Sequence, residues 1–218
     1  MRVVIAGGHG KIARILERHL SDRGDEVVGL IRNPAHADDL REAGAEPVVF
    51  DLERGSAEDL ARILDGADAV VFAAGAGPGS GAARKDTVDR GGAVLLADAA
   101  ERAGVRRYVM VSSMGADRGR DGIADEVFAA YQDAKKAADE DLMARDLDWT
   151  IIRPGGLSDE PGTGKVTMAR RTGRGSVPRE DVARVICAVL DDPGTSGLVT
   201  EVITGPERVA VALAELTD

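Results

Sequence analysis

Apolar and polar positions in this chain alternate between two periods. Val3-Val4-Ile5-Ala6 is a continuous apolar run of strand length; it breaks at Gly7-Gly8-His9-Gly10 and resumes as Ile12, Ile15, Leu16 and Leu20, the spacing of one helix face. The same change of period recurs to the end of the chain. Strands are expected at 26–31, 46–50, 69–75, 106–113, 149–153 and 198–204, and helical segments at 11–23, 34–44, 57–64, 84–103, 125–145, 179–190 and 207–216. This order predicts an α/β fold: a single doubly wound parallel sheet with right-handed crossovers and helices on both faces. The run at 69–75 is apolar without alternation, as suits a strand covered on both sides. Residues 75–81 read as a mobile glycine-rich loop. Residues 157–175 carry no period and are expected to form a flap on the substrate side, within a small region spanning about 155–178.

The first strand, its glycines and the first helix have the spacing Gly7-x-x-Gly10-x-x-Ala13. Gly7 suits the positive φ of a tight turn, Gly10 lets backbone approach a diphosphate, and Ala13 lets the helix pack on the strand. Unpaired N–H groups where the helix starts, at Lys11 and Ile12, would hold the phosphates. Arg32 stands at the carboxyl end of the second strand. An acid there accepts from ribose hydroxyls in NAD-selective folds, whereas arginine pairs with a 2′-phosphate, so NADP is expected in preference to NAD. Asp51 and Leu52 end the third strand on the same edge, where Asp51 either meets the adenine amino group or closes a turn. Ala73, Ala74 and Gly75 end the fourth strand in small residues that leave room for a cofactor.

Composition narrows the partners. The 38 acidic against 28 basic residues give a net charge of −10, and aromatics make up 3%, which argues against nucleic acid as a ligand. A single cysteine, Cys187, sits in an apolar helical pattern and reads as a structural thiol. No apolar run approaches membrane-spanning length and no leader pattern precedes the first strand, so a cytoplasmic protein acting on a small molecule, as monomer or homodimer, is expected. At 218 residues one domain spanning 1–218 suffices.

Gly7 to Ala13, Arg32, Ser112-Ser113, Tyr131-x-x-x-Lys135 and Ile151-Ile152-Arg153-Pro154-Gly155-Gly156-Leu157 occur in the order of a known family. The chain resembles the short-chain dehydrogenase/reductase superfamily, in the atypical, extended-like branch of NAD(P)-binding epimerase/dehydratase-like proteins with a Rossmann fold. Extended members carry a larger C-terminal region for nucleotide sugars, which this chain lacks room for. The resemblance implies Tyr131 as general acid/base, Lys135 as the cation beside the phenol and a ribose ligand, Ser113 rather than Ser112 as the residue orienting the substrate oxygen, and Pro154 and Gly155 at the nicotinamide end. The chemistry agrees, because residues four apart share a helix face and an ammonium near a phenol favours its phenolate. The activity so implied is NADP-dependent hydride transfer to or from a small carbonyl or alcohol. Its alternatives are an NADP-binding sensor resembling the NmrA-like proteins, and an epimerase or dehydratase that returns the hydride.

Overall fold

Val3, Val4, Ile5 and Ala6 have no solvent exposure, so the opening strand can only be central, covered on both faces. The computed structural model describes residues 1–77 and 79–217; Pro78, in the loop expected at 75–81, and Asp218 lie outside the described residues. The elements are β1 (Arg2–Ala6), α1 (Lys11–Asp22), β2 (Glu26–Ile31), α2 (Ala37–Glu42), β3 (Glu46–Val49), α3 (Ala57–Ile63), β4 (Ala69–Phe72), α4 (Ala82–Arg84), a π-helical segment Lys85–Arg90, α5 (Gly91–Ala103) and β5 (Arg107–Val111). There follow α6 (Glu126–Met143), β6 (Asp148–Pro154), β7 (Gly156–Ser158), β8 (Lys165–Ala169), β9 (Ser176–Pro178), α7 (Arg179–Asp191), β10 (Leu198–Thr204), β11 (Glu207–Arg208) and α8 (Val209–Thr217).

Nine strands form one sheet in the order β3-β2-β1-β4-β5-β6-β10-β8-β11. β1 pairs parallel with both β2 and β4, and strand order reverses there, which opens a crevice at the carboxyl ends of these strands. One side of the sheet is sealed by α1, α7 and α8 through Leu16, Leu20, Val185, Ile186 and Leu213. The other is sealed by α3, α5 and α6 through Leu60, Leu96 and Leu142, with Tyr108 buried among them. The fold is thus a Rossmann-type α/β sheet with helices on both faces.

Three elements depart from the expected pattern. The sheet is mostly parallel, because β8 runs antiparallel to β10 and β11 antiparallel to β8. β8 buries Val166 and Met168 while alternate residues face outward, the habit of a strand with one wet face. Polar, glycine-rich neighbours mask that alternation in the sequence. The helix expected over 84–103 is three pieces, a single turn, a π-helical segment and α5. β6 continues through Pro154, which sits at the strand's end, where its carbonyl accepts from Met114 N and the missing N–H leaves no gap.

Candidate active site

The loop after β1 turns at Gly7, with φ of +86°, and a Cβ there would lie 2.6 Å from Cα of Ala74. Only glycine fits both demands. Gly10 caps α1 with extended backbone and no side-chain bond, and no acid occupies the first turn. Among the described residues, the amides of Lys11, Ile12 and Ala13 donate to no backbone acceptor. Orphan donors at the positive end of a helix, beside backbone that a side chain would block, fit a diphosphate.

Two clefts of about 300 and 190 Å³ share Gly7, Arg32, Ala74 and Gly75 as a wall on the β2 and β3 side. Arg32 is half exposed, and its Nη1 lies 3.1 Å from Oε2 of Glu53. Glu53 also accepts from Arg84 Nη2 and Thr87 Oγ1, both at 2.7 Å, and these bonds, Arg84's first, hold its carboxyl below the usual range. Asp51 and Leu52 line the smaller cleft, while Asp51 Oδ1 accepts from Glu53 N at 2.9 Å, closing a turn. On the other side, the rings of His9 and His36 stack with centroids 3.6 Å apart, and His9 Nε2 lies 2.6 Å from Asp39 Oδ2.

Towards β5 and α6 the same wall opens into a cavity of about 560 Å³, lined among others by Ile12, Ala73, Ser112, Tyr131 and Lys135. Lys135 is buried; its Nζ donates to Val111 O at 3.2 Å and lies 3.3 Å from Asp89 Oδ1. The ammonium is 5.7 Å from the centre of the Tyr131 ring. A second lysine, Lys85, stands 5.4 Å from the same ring and donates to Gly77 O at 2.8 Å. Asp89 Oδ2 accepts from Ala76 N at 3.0 Å, so both residues of the π-helical segment tie down the loop after β4. Such segments recur at functional sites because the wider turn redirects side chains. Ser112 lines this cavity, its Oγ buried beside the carboxylate of Asp139, whereas Ser113 Oγ lies 3.3 Å from Nε2 of Gln132, which also donates to Met114 O.

Tyr131, Lys135, Ile12, Gly7, Gly10, Arg32, Asp51, Leu52, Ala73, Ala74 and Gly75 therefore meet along one crevice. Ser113, Pro154 and Gly155 are not among the residues lining it. The Lys11 ammonium is on the outside of α1, paired with Asp159. Gly155 is pressed against other backbone, since a Cβ there would meet Gly175 O. Lys85 and Asp89 were legible only as an i, i+4 pair after a glycine loop, a signal any solvated helix also gives. Cys187 is partly buried in the core, and burial pushes its thiol up to about 11, which leaves it an inert thiol at neutral pH. Among the described residues no group of acids, histidines or cysteines could hold a metal, and no helix is long and apolar enough to cross a membrane.

A strand that turns through glycine into a helix with unpaired amides, at the reversal point of a mostly parallel sheet, is the arrangement of a dinucleotide-binding protein. The chain belongs to the NAD(P)H-binding family, whose model matches residues 7–193. It is 37% identical over 217 residues to the uncharacterized sugar epimerase YhfK of Bacillus subtilis, covering 99% of this chain and 100% of that one. Among solved structures it is similar to a protein of Bacillus halodurans provisionally assigned as an NAD-dependent epimerase/dehydratase, with TM-score 0.92, 39% identity, and coverage of 99% and 100% of the two chains. The oxidoreductase ylbE of Lactococcus lactis superposes with TM-score 0.87 and 28% identity, covering 99% and 96%.

Proposed function

We propose that the protein is an NADP-dependent oxidoreductase of the short-chain dehydrogenase/reductase type that acts on a small carbonyl or alcohol. The observation that carries this reading is the convergence of Tyr131, Lys135 and Ser112 in one cavity continuous with the diphosphate loop. Gly7, Gly10 and the first amides of α1 would hold the diphosphate, Arg32 the 2′-phosphate, Asp51 and Leu52 the adenine side, and Ala73 to Gly75 the wall beneath the nicotinamide. When bound, the reduced nicotinamide supplies a hydride to the carbonyl carbon.

The chain's own residues do the rest. Tyr131 gives its phenolic proton to the carbonyl oxygen in reduction and takes it back in oxidation. Lys135, one turn along the same face, offers ammonium donors to the ribose. A serine hydroxyl at the end of β5 orients the substrate oxygen. Ser112 lines the cavity with its Oγ buried beside Asp139, whereas Ser113 Oγ accepts from Gln132 and keeps its own O–H free to donate to a substrate oxygen.

The test is a carbonyl panel followed at the nicotinamide absorbance, with the Ser112→Ala, Ser113→Ala and Tyr131→Phe variants alongside. Tyr131→Phe should cut turnover by about a hundredfold or more while leaving NADPH affinity unchanged. Normal turnover in that variant overturns the assignment. Net consumption of NADPH separates reduction from an epimerase cycle, which returns its hydride.

A further inference from the structure

The reactive cavity carries two features that the chemistry of hydride transfer does not require. First, its mouth is apolar. Val127, Phe128 and Leu157 line it with relative exposures of 45%, 48% and 40%, and they are among the few large hydrophobic residues this chain leaves exposed. The Phe128 ring lies over that of Tyr131, with centroids 5.9 Å apart and planes inclined by 25°. Exposed apolar residues scattered singly need no explanation, but three gathered at one opening mark a binding surface.

Second, Lys85 is buried to 8% exposure in this cavity wall, and no carboxylate lies within salt-bridge distance among the described residues. Its one bond among the described residues, to Gly77 O, uses one of three ammonium donors. A desolvated ammonium held beside the Tyr131 ring without an anion is costly unless an acceptor oxygen arrives with the ligand. Lys135, by contrast, is already answered by Asp89. At the mouth, Asp125 caps α6 by accepting from Phe128 N at 2.7 Å.

Resting on the oxidoreductase reading above, we infer that the substrate is a planar, apolar dicarbonyl compound, an aromatic α-diketone or o-quinone, whose ring system stacks on Phe128 and whose second oxygen accepts from Lys85. Reduction forms a C–H bond at one carbonyl carbon from the hydride of the reduced nicotinamide. It breaks that C=O π bond, places the Tyr131 proton on the oxygen and leaves the α-hydroxy ketone, while solvent reprotonates the phenol. A nucleotide sugar fits poorly, because its diphosphate would meet Asp125 and a hydrocarbon rim instead of paired cations.

Binding to the NADP⁺-loaded protein, measured by calorimetry so that no turnover is needed, tests this with phenanthrenequinone, fluorenone, cyclohexanone and UDP-glucose. Phenanthrenequinone should bind about tenfold or more tightly than fluorenone, a planar analogue with one oxygen, and UDP-glucose should not bind. Lys85→Met should erase the preference for the second oxygen without weakening fluorenone, and Lys85→Arg should restore most of it. Phe128→Ser, at an exposed position, should weaken both tricyclic ligands about tenfold relative to cyclohexanone, and it remains informative if Lys85→Met fails to fold. UDP-glucose binding more tightly than the tricyclics, or equal loss of quinone and fluorenone in Lys85→Met, overturns the inference. Diketone binding with no turnover under NADPH leaves it standing and removes the oxidoreductase reading. Turnover of cyclohexanone without tricyclic binding does the reverse.

Discussion

Lys135 Nζ lies 3.3 Å from Asp89 Oδ1, and the two side chains are 4% and 1% exposed, so the charge beside Tyr131 is balanced inside the protein before any ligand arrives. Removing one member of such a pair leaves an uncompensated buried charge. Asp89→Asn keeps an acceptor for Ala76 N but loses the negative charge; it should destabilise the fold by about 3 kcal/mol in urea titrations. Lys135→Met in the same background should recover much of that loss, with a coupling of about 2 kcal/mol. Additive single effects would show that the pair contributes nothing.

Arg32 shares Glu53 with Arg84, so a 2′-phosphate reaching Arg32 competes with a carboxylate already in place. Glu53→Gln should tighten NADPH severalfold and leave NADH unchanged. Arg32→Ala should weaken NADPH by about tenfold and bring the two cofactors level, because the guanidinium proposed for the 2′-phosphate is lost. Fluorescence titration with both cofactors measures this, and a wild-type protein that prefers NADH removes the assignment.

Glu17 is fully buried on α1 with neither carboxylate oxygen paired, and burial pushes it up to about 8 despite nearby Arg14. Its unfolded value is near 4.5. Between these values the unfolded chain releases the proton while the folded chain keeps it, so stability falls as pH rises, by up to about 1.4 kcal/mol per pH unit from one group. Below the unfolded value both states hold the proton and the penalty is absent; above about 8 it is constant. Glu17→Gln should flatten this part of the profile, gaining stability at pH 8 relative to wild type and losing that advantage near pH 4. Parallel pH profiles for the two proteins would refute it.

Gly7 and Gly24 both adopt positive φ, at +86° and +89°, but nothing lies within 4 Å of a Cβ at Gly24. Gly24→Ala should therefore cost about 1 kcal/mol, the left-handed strain alone. Gly7→Ala adds a clash with the Ala74 backbone; it should cost more in the same denaturation assay and abolish NADPH binding. Equal costs would mean that the loop yields.

The central strands and their helices were readable because burial on both faces writes itself as uninterrupted apolar runs, as in Val3 to Ala6 and Ala69 to Phe72. Gly7 and Arg32 were readable for a related reason, since turn geometry and a strand's carboxyl edge are local properties. β8 was hidden because its inward residues Val166 and Met168 are too few to announce a period among glycines and polar residues.

Tyr131 and Lys135 are placed on one helix face by their spacing alone. What answers them is not: Asp89 and Lys85 stand on the cavity wall from a π-helical segment, and Ser112 lines it from the end of β5. The fold class and the glycine turn after β1 were settled by local steric and hydrophobic rules acting along the chain. Charge balance, the apolar mouth and the buried Glu17 were decided only when distant segments closed on one another, because electrostatic cost and solvent exclusion depend on every neighbour in space and not on neighbours in sequence.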